Sequence, residues 1–296
     1  MSCFFSQKIK IKIADIVISV TSKKSNFRIA YDDILHGFLS RQDPEVIIRA
    51  SSGSLPNLKN KEMIFDSGGN WTLLKSGGRH AFCLYSSDSS GKPYAMAVFN
   101  SDFRRGEIFF KLSDPSEKER FDTRLHFKYP LDEILMVNLL AKKRGLMVHG
   151  CGIKKTGKGL LFVGKSGAGK STMARLLGKD KKTAILNDDR IIIRKVGDVF
   201  YMYGTPWHGD IRICSKDRIR FKNIFFIKHA QKNYLKALNK TDAVARLISR
   251  SFVPFWDKKG MEFTMDFCSD LSAKVPCFEF GFIPDKSALD YIRTKT

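Results

Sequence analysis

The chain has 296 residues, 43% hydrophobic and 12% aromatic, which excludes a disordered chain and supports one large domain or two modest ones. Lys and Arg number 52 against 30 Asp and Glu, and the net charge of +22 suits either a solvated basic surface or a partner rich in negative charge. No apolar stretch approaches the roughly 18 residues of a membrane span; Ile134–Leu140 and Ile224–Ile227 are core-sized.

The elements begin with Lys8–Val20, where alternating residues read as a strand rather than a signal peptide, so a soluble, cytoplasmic protein without a membrane partner is expected. Strand-like runs follow at Trp71–Leu74, Ala81–Tyr85, Tyr94–Phe99 and Glu107–Leu112. They are punctuated by turn chemistry at Ser51–Asn60, Ser67–Gly69, Ser76–Gly78 and Ser86–Gly91. Residues 1–127 therefore read as a β-rich N-terminal module, with charged Ser113–Thr123 as a linker or surface loop. Pro130, followed by Asp132 and Glu133, starts a helix with an apolar stripe of Leu131, Ile134, Leu135, Leu139 and Leu140; Gly145 closes it. A hairpin follows, Leu146–Ile153 and Gly159–Val163 around a turn at Thr156–Gly157. Phe221–Ile227 reads as a core strand, and Thr241–Ser251 as a helix starting at Thr241. Six cysteines (Cys3, Cys83, Cys151, Cys214, Cys268, Cys277) lack metal-ligand spacing and read as buried thiols.

Gly164-Lys165-Ser166-Gly167-Ala168-Gly169-Lys170-Ser171 matches GxxxxGK[ST], with a buried-type strand, Leu160–Val163, before it and a helical run, Thr172–Leu177, after it. Glycines let backbone N–H groups wrap phosphates, Lys170 reaches the β/γ oxygens, and the Ser171 hydroxyl suits Mg²⁺. Residues 164–172 are thus the expected nucleotide site; a chance glycine-rich turn would not carry both flanks.

Thr183–Asn187 reads as a strand ending in Asp188-Asp189-Arg190, only 18 positions past Ser171, and no LSGGQ-type signature is present. The two aspartates could split the labour, one holding Mg²⁺ and one accepting a hydroxyl proton, although Asn-Asp-Asp is also ordinary turn chemistry. His149 ends Leu146-Met147-Val148, on a strand expected beside the phosphate-loop strand; a structural histidine is the competing reading.

His149-Gly150, the loop Gly164–Ser171 and Asp188-Asp189-Arg190 together resemble the HPr kinase/phosphorylase family and, more remotely, ATP-dependent phosphoenolpyruvate carboxykinases. The segments LMVHG, LLFVGKSGAGKSTMARLL, LNDDR, YGTPWHGDI and KVPCFEFGFIP are similar to HPr-kinase-related proteins often encoded beside peptide-modification enzymes. The likeness covers residues 128–296 well, 60–127 loosely and 1–50 little.

The resemblance implies an α/β fold with a phosphoenolpyruvate-carboxykinase-like P-loop core at 128–296. It implies an ATP- and Mg²⁺-dependent kinase acting on a hydroxyl, typically a serine, of a peptide, protein or small molecule. In it Lys170 grips the transferred phosphate and Ser171 binds Mg²⁺. Asp189 matches the proton acceptor and Asp188 its metal-side partner, with the two roles exchangeable. His149 matches the active-site histidine, and Asp210 an acid that helps hold metal, a loop-capping acid being the other reading.

The chain departs from that family beyond the acidic pair. Its arginine loop has no clear counterpart, and Arg212, Arg218, Arg246 and Arg250 are all candidates to stabilise charge. HPr itself is therefore not the expected acceptor, and reversal by phosphate is not expected. Trp207 and His208 could form an acceptor wall or anchor their loop. A nucleotide-regulated binding protein that never transfers phosphate is the alternative. A nucleic-acid-dependent ATPase lacks any supporting motif, so nucleic acid is not an expected partner. A homo-oligomer stays open.

Overall fold

Period-two alternation puts most of the first half of the chain into strands. A computed structural model describes residues 3–23, 28–86, 91–111, 124–126, 130–180 and 182–295; the expected linker at 113–123 lies outside the described residues. The first elements are β1 (Cys3–Ser6), β2 (Lys8–Ile13), β3 (Ile16–Ser22), β4 (Arg28–Asp32), α1 (Asp33–His36), β5 (Val46–Ser52) and β6 (Glu62–Asp66). They continue with β7 (Trp71–Ser76), β8 (Arg79–Leu84), β9 (Ala95–Phe99), β10 (Arg105–Phe110), β11 (Arg124–His126) and α2 (Leu131–Ala141). Eight strands form one sheet in the order β2-β3-β5-β10-β9-β8-β7-β6, and β1-β4-β11 form another.

Lys8–Val20 is a hairpin rather than one strand. β2 and β3 pair antiparallel around Ala14 and Asp15, whose φ angles of 49° and 60° are those of a type I′ turn. The turn lacks the glycine or asparagine that ordinarily announces it, and only a shift of the apolar residues from odd to even positions marks it. Ile9, Ile11, Ile13, Ile16, Ile18 and Val20 are all buried.

The chain divides into two compact units, Met1–Leu139 and Leu140–Thr296, so their boundary falls inside α2. The second unit begins with β12 (Leu146–Lys155), β13 (Lys158–Val163), α3 (Lys170–Gly178), β14 (Thr183–Asn187), β15 (Arg190–Val196), β16 (Val199–Tyr203) and β17 (Arg218–His229). It ends with β18 (Tyr234–Ala237), α4 (Lys240–Ile248), β19 (Ser251–Phe252), α5 (Lys258–Lys274), β20 (Cys277–Phe282) and α6 (Lys286–Lys295). Two long strands change partner along their length. β12 pairs β15 through His149 and β13 from Gly150 onward; β17 pairs β16, then β13, then β20.

β13 and β17 read as continuous apolar runs because both faces are covered. Leu160, Phe162, Phe225 and Ile227 pack with Met173, Ala174 and Leu177 of α3 and with Ala288, Leu289 and Ile292 of α6. Leu161, Val163, Ile224 and Phe226 face Ala243 and Leu247 of α4 and Phe267, Cys268 and Leu271 of α5. Phe162, Phe225, Phe280 and Phe282 stack or meet edge-on with centroids 5.1–6.3 Å apart, an aromatic layer on the α3 side. Truncating one such ring to alanine costs about 3–5 kcal/mol.

The helix expected at Thr241–Ser251 starts and stops earlier. Asn239, not Thr241, caps it by accepting from Asp242 N, and Ser251–Phe252 extends as β19 against β12. Cys83, Cys151, Cys214, Cys268 and Cys277 are free thiols, and burial pushes those of Cys268 and Cys277 up to about 12. Among the described residues no helix is long and apolar enough to cross a membrane.

Candidate active site

The phosphate loop runs from the end of β13 into α3. Gly167 (φ 77°) and Gly169 (φ 96°) hold backbone angles that side chains rarely adopt, and a Cβ at Gly169 would lie 2.5 Å from the Phe282 ring. The aromatic layer thus fixes how closely the loop approaches the sheet. Gly169 caps α3 with no side-chain hydrogen bond, so the first-turn N–H groups of that helix have no capping side chain. His229 Nε2–H donates to Gly167 O at 3.2 Å and steadies the loop from the end of β17.

Lys170 is buried, and its ammonium donates to the loop's own carbonyls, Gly164 O at 3.3 Å and Lys165 O at 3.2 Å. Burial lowers its pKa, opposed chiefly by the charge of Asp189 and more weakly by Cys151, Asp188 and Asp210. Gripping a phosphate therefore means exchanging two carbonyls for an anion. Ser171 Oγ donates to Asp210 Oδ2 at 3.5 Å.

The acidic pair occupies the bend between β14 and β15, organised by Asn187, which is fully buried. Asn187 Oδ1 accepts from Asp189 N (2.7 Å) and Arg190 N (2.8 Å), while its Nδ2 donates to Thr205 O and Trp207 O, each at 3.0 Å. One amide thereby shapes the bend and pins the 205–207 segment beside it.

The two aspartates then diverge. Asp188 is buried, its Oδ1 accepting from Gly209 N at 2.9 Å and its Oδ2 from Ile211 N at 3.0 Å. Asp189 Oδ1 accepts from His149 Nε2–H at 2.6 Å, and its Oδ2 from Arg190 Nη1. Burial alone would raise the Asp189 carboxyl; the His149 hydrogen bond, then the charges of His149, Arg190 and Lys170, outweigh it and hold it below its ordinary value. Phe252 backs both partners, with its ring centroid 6.4 Å from the His149 ring and 5.4 Å from the Arg190 guanidinium.

A cavity of about 280 Å³ collects these groups. His149, Lys170, Ser171, Thr172, Asp189 and Asp210 all line it, with Ser166, Gly167 and Gly169 of the loop. Asp188 does not. The expected metal set of Ser171, Asp188 and Asp210 is thus split: the first and last meet, whereas backbone N–H groups engage both oxygens of Asp188. Among the described residues no group of three or more His, Cys, Asp or Glu side chains could hold a metal ion by itself. Ser171 and Asp210 fit a magnesium ion that takes its other ligands from phosphate and water.

None of Arg212, Arg218, Arg246 and Arg250 lines the cavity. Arg218 lies over the Tyr201 ring and donates to Tyr203, and Arg246 pairs with Glu279 at 2.8 Å. Arg250 instead supplies the carbonyl that accepts from His149 N at 2.8 Å. Trp207 and His208 stay outside as well, and buried Trp207 acts as a loop anchor through its carbonyl. Arg175 and His229 do line the cavity, and neither stands out in the sequence. The only available signal for Arg175 was its place one helical turn beyond Ser171.

A protein-family model described as SynChlorMet cassette protein ScmC matches residues 129–278, just over half of the chain. The chain belongs to the ScmC family. The matched span contains His149, the whole phosphate loop, Asn187-Asp188-Asp189-Arg190 and Asp210, so every side chain of the cavity lies within the part that defines ScmC proteins. It leaves out residues 1–128 and α6. No curated protein matches the chain.

Proposed function

We propose that this ScmC protein is an ATP-dependent kinase that transfers the γ-phosphoryl group to a hydroxyl, with a serine of a peptide or protein as the preferred class of acceptor. The observation that carries this reading is one cavity lined by Lys170 and Ser171 of a phosphate loop and by the His149–Asp189 pair. A nucleotide-holding loop needs no such carboxylate unless a proton has to be moved or a hydroxyl oriented. The reading includes a phosphoenolpyruvate-carboxykinase-like core for residues 128–296 and, because ATP is the donor, a cytoplasmic location.

In this mechanism the loop N–H groups and the first turn of α3 hold the β- and γ-phosphates, and Lys170 moves from its carbonyl partners onto their oxygens. A magnesium ion, when bound, offsets phosphate charge; Ser171 and Asp210 are the residues to hold it. The acceptor oxygen forms its bond to the γ-phosphorus as the bond to the bridging oxygen breaks, and that electron pair leaves on ADP. Asp189 takes the hydroxyl proton. His149 and Arg190 keep its carboxylate ionised and aimed, so the rate gain comes from positioning and electrostatics.

Incubation with γ-labelled ATP and Mg²⁺ against free serine and serine-containing peptides tests the reading. Asp189→Asn should lower transfer about 10²–10⁴-fold, the range for loss of a general base, while ATP binding survives. Transfer at the full rate in that variant removes Asp189 from the mechanism. ATP-dependent binding of a partner without any transfer would favour a nucleotide-regulated binding protein instead.

A further inference from the structure

We propose that the eight-stranded sheet of the first unit carries a second binding site, one that takes acidic side chains of a peptide. A cavity of about 300 Å³ opens there, lined by Arg49, Arg79, Arg105 and Glu107 over Ile47 and Val98. The strand register explains why these residues converge. Arg49 of β5 lies opposite Glu107 of β10, Glu107 opposite Val98 of β9, and Val98 opposite Ala81 of β8. Arg105 and Arg79 stand two residues before Glu107 and Ala81, so all three arginines project from the same face.

Their charges are not balanced by any carboxylate among the described residues. The one carboxylate in the cavity, Glu107, is taken by Lys23 at 2.5 Å. No hydrogen bond or ion pair engages the guanidinium groups of Arg49, Arg79 and Arg105 among the described residues, and all three side chains are exposed. Two other groups of neighbouring cations are compensated: Lys195 and Lys274 share Asp198 and Asp270, and Lys228 and Arg246 share Glu279. Three unpaired forks around one concavity repel one another, and a bound anion relieves that repulsion.

The chemistry of the cavity selects the anion. Guanidinium forks bind carboxylate in a bidentate manner. The Ile47 and Val98 floor suits the methylene stem of a Glu or Asp side chain, which a phosphodiester lacks. Nucleic acid would also call for an extended basic track with aromatic stacking surfaces rather than a single concavity. Phe109 projects from the same face as Arg105 and Glu107 and packs with the apolar cluster of Ala81, Cys83, Met96 and Val98, leaving room beside the acid for an apolar neighbour. This site is separate in sequence from the ATP cavity and stands whether or not phosphate is transferred.

The test is fluorescence anisotropy of labelled Gly-Glu-Glu-Leu-Glu-Gly and its amide counterpart Gly-Gln-Gln-Leu-Gln-Gly on the full chain, without ATP, at about 0.15 M salt, where the Debye length is about 8 Å. The acidic peptide should bind about tenfold or more tighter, as expected for at least one charge-assisted pair. Arg49→Gln/Arg79→Gln/Arg105→Gln should remove that preference, and Arg49→Glu alone should weaken it. A charge-matched control, Lys59→Gln/Lys61→Gln/Lys75→Gln, should keep it, and unchanged circular dichroism and thermal melting in every variant report an intact first unit. Equal weakening by the lysine and arginine triples overturns the proposal in favour of bulk charge. Tighter binding of a single-stranded oligonucleotide through the same arginines overturns it in favour of nucleic acid.

Discussion

His149 of β12 and Asp189 of the β14–β15 bend meet at 2.6 Å, Nε2 to Oδ1, although 40 positions separate them in sequence. The contact is possible because β12 lies beside β15, with His149 directly opposite Arg190. It joins the proposed proton acceptor to the group that lowers its pKa.

The pH dependence follows from that contact. Asp189 has a lowered pKa in the folded chain, so its charged form stabilises the fold above the unfolded carboxyl value near 3.8 and loses that contribution as pH falls through the folded value. The proton-accepting form therefore persists through neutral pH, and the acid limb of kcat/KM lies below about pH 4, the ordinary carboxyl range. In His149→Gln the limb should move upward and transfer should fall by about 10²-fold, at the lower end for acid–base partners. An unmoved limb in a pH–rate profile would remove His149 from this role.

Asp188 and Asp189 should separate cleanly by what they damage. Asp188→Ala leaves the N–H groups of Gly209 and Ile211 without their acceptor, a cost of about 2–4 kcal/mol for two such groups. At roughly 2–4 °C per kcal/mol for a unit of this size, the melting temperature should drop by about 4–16 °C. Asp189→Asn should melt within a few degrees of the parent and lose transfer. Calorimetry of both variants checks this, and a fully stable Asp188→Ala would show that the Gly209–Ile211 segment is held by other contacts.

Gly169→Ala should abolish nucleotide binding while most of the sheet stays folded. The substitution places a methyl group 2.5 Å from Phe282 Cζ and 3.1 Å from His229 Cε1 on a backbone at φ 96°, so the loop must shift. Titration calorimetry with ATP reads the result, and parental affinity would mean that the loop can bind phosphate in another shape.

Arg175 is expected to supply the charge that the four sequence candidates do not. Arg175→Gln should lower kcat/KM about 10–100-fold, the worth of one charge-assisted hydrogen bond, and Arg175→Lys should restore part of it. Arg212→Gln, at a position that does not line the cavity, should leave the rate unchanged. Steady-state kinetics that place the loss in Arg212→Gln instead would reverse the assignment.

What could be read from the sequence was local. The strand–loop–helix around Gly164–Ser171, the strand Thr183–Asn187 and the helix after Pro130 all fall where residue patterns place them. The Ala14-Asp15 turn and the Asn239 cap were hidden, the first by the absence of a glycine or asparagine and the second by a nearby threonine with the same capping chemistry. The long helix α5 follows an Asp257 cap that accepts from Gly260 N, a signal too ordinary to stand out beside the phosphate loop.

The sequence by itself determined a glycine-rich strand–loop–helix with an acidic pair one helix later, because those signals depend on neighbouring residues. Only the tertiary structure decided that Asp189 faces the cavity and Asp188 turns away. That choice rests on Asn187 reaching Thr205 and Trp207, and on Gly209 and Ile211 donating back to Asp188. Such hydrogen bonds join segments some twenty residues apart, and no local pattern records which of two adjacent carboxylates the returning backbone will take. The tertiary structure likewise brought Arg175 into the site and left Arg218 and Arg246 on partners elsewhere, since an arginine's role is set by the anions and rings that the fold brings within its reach.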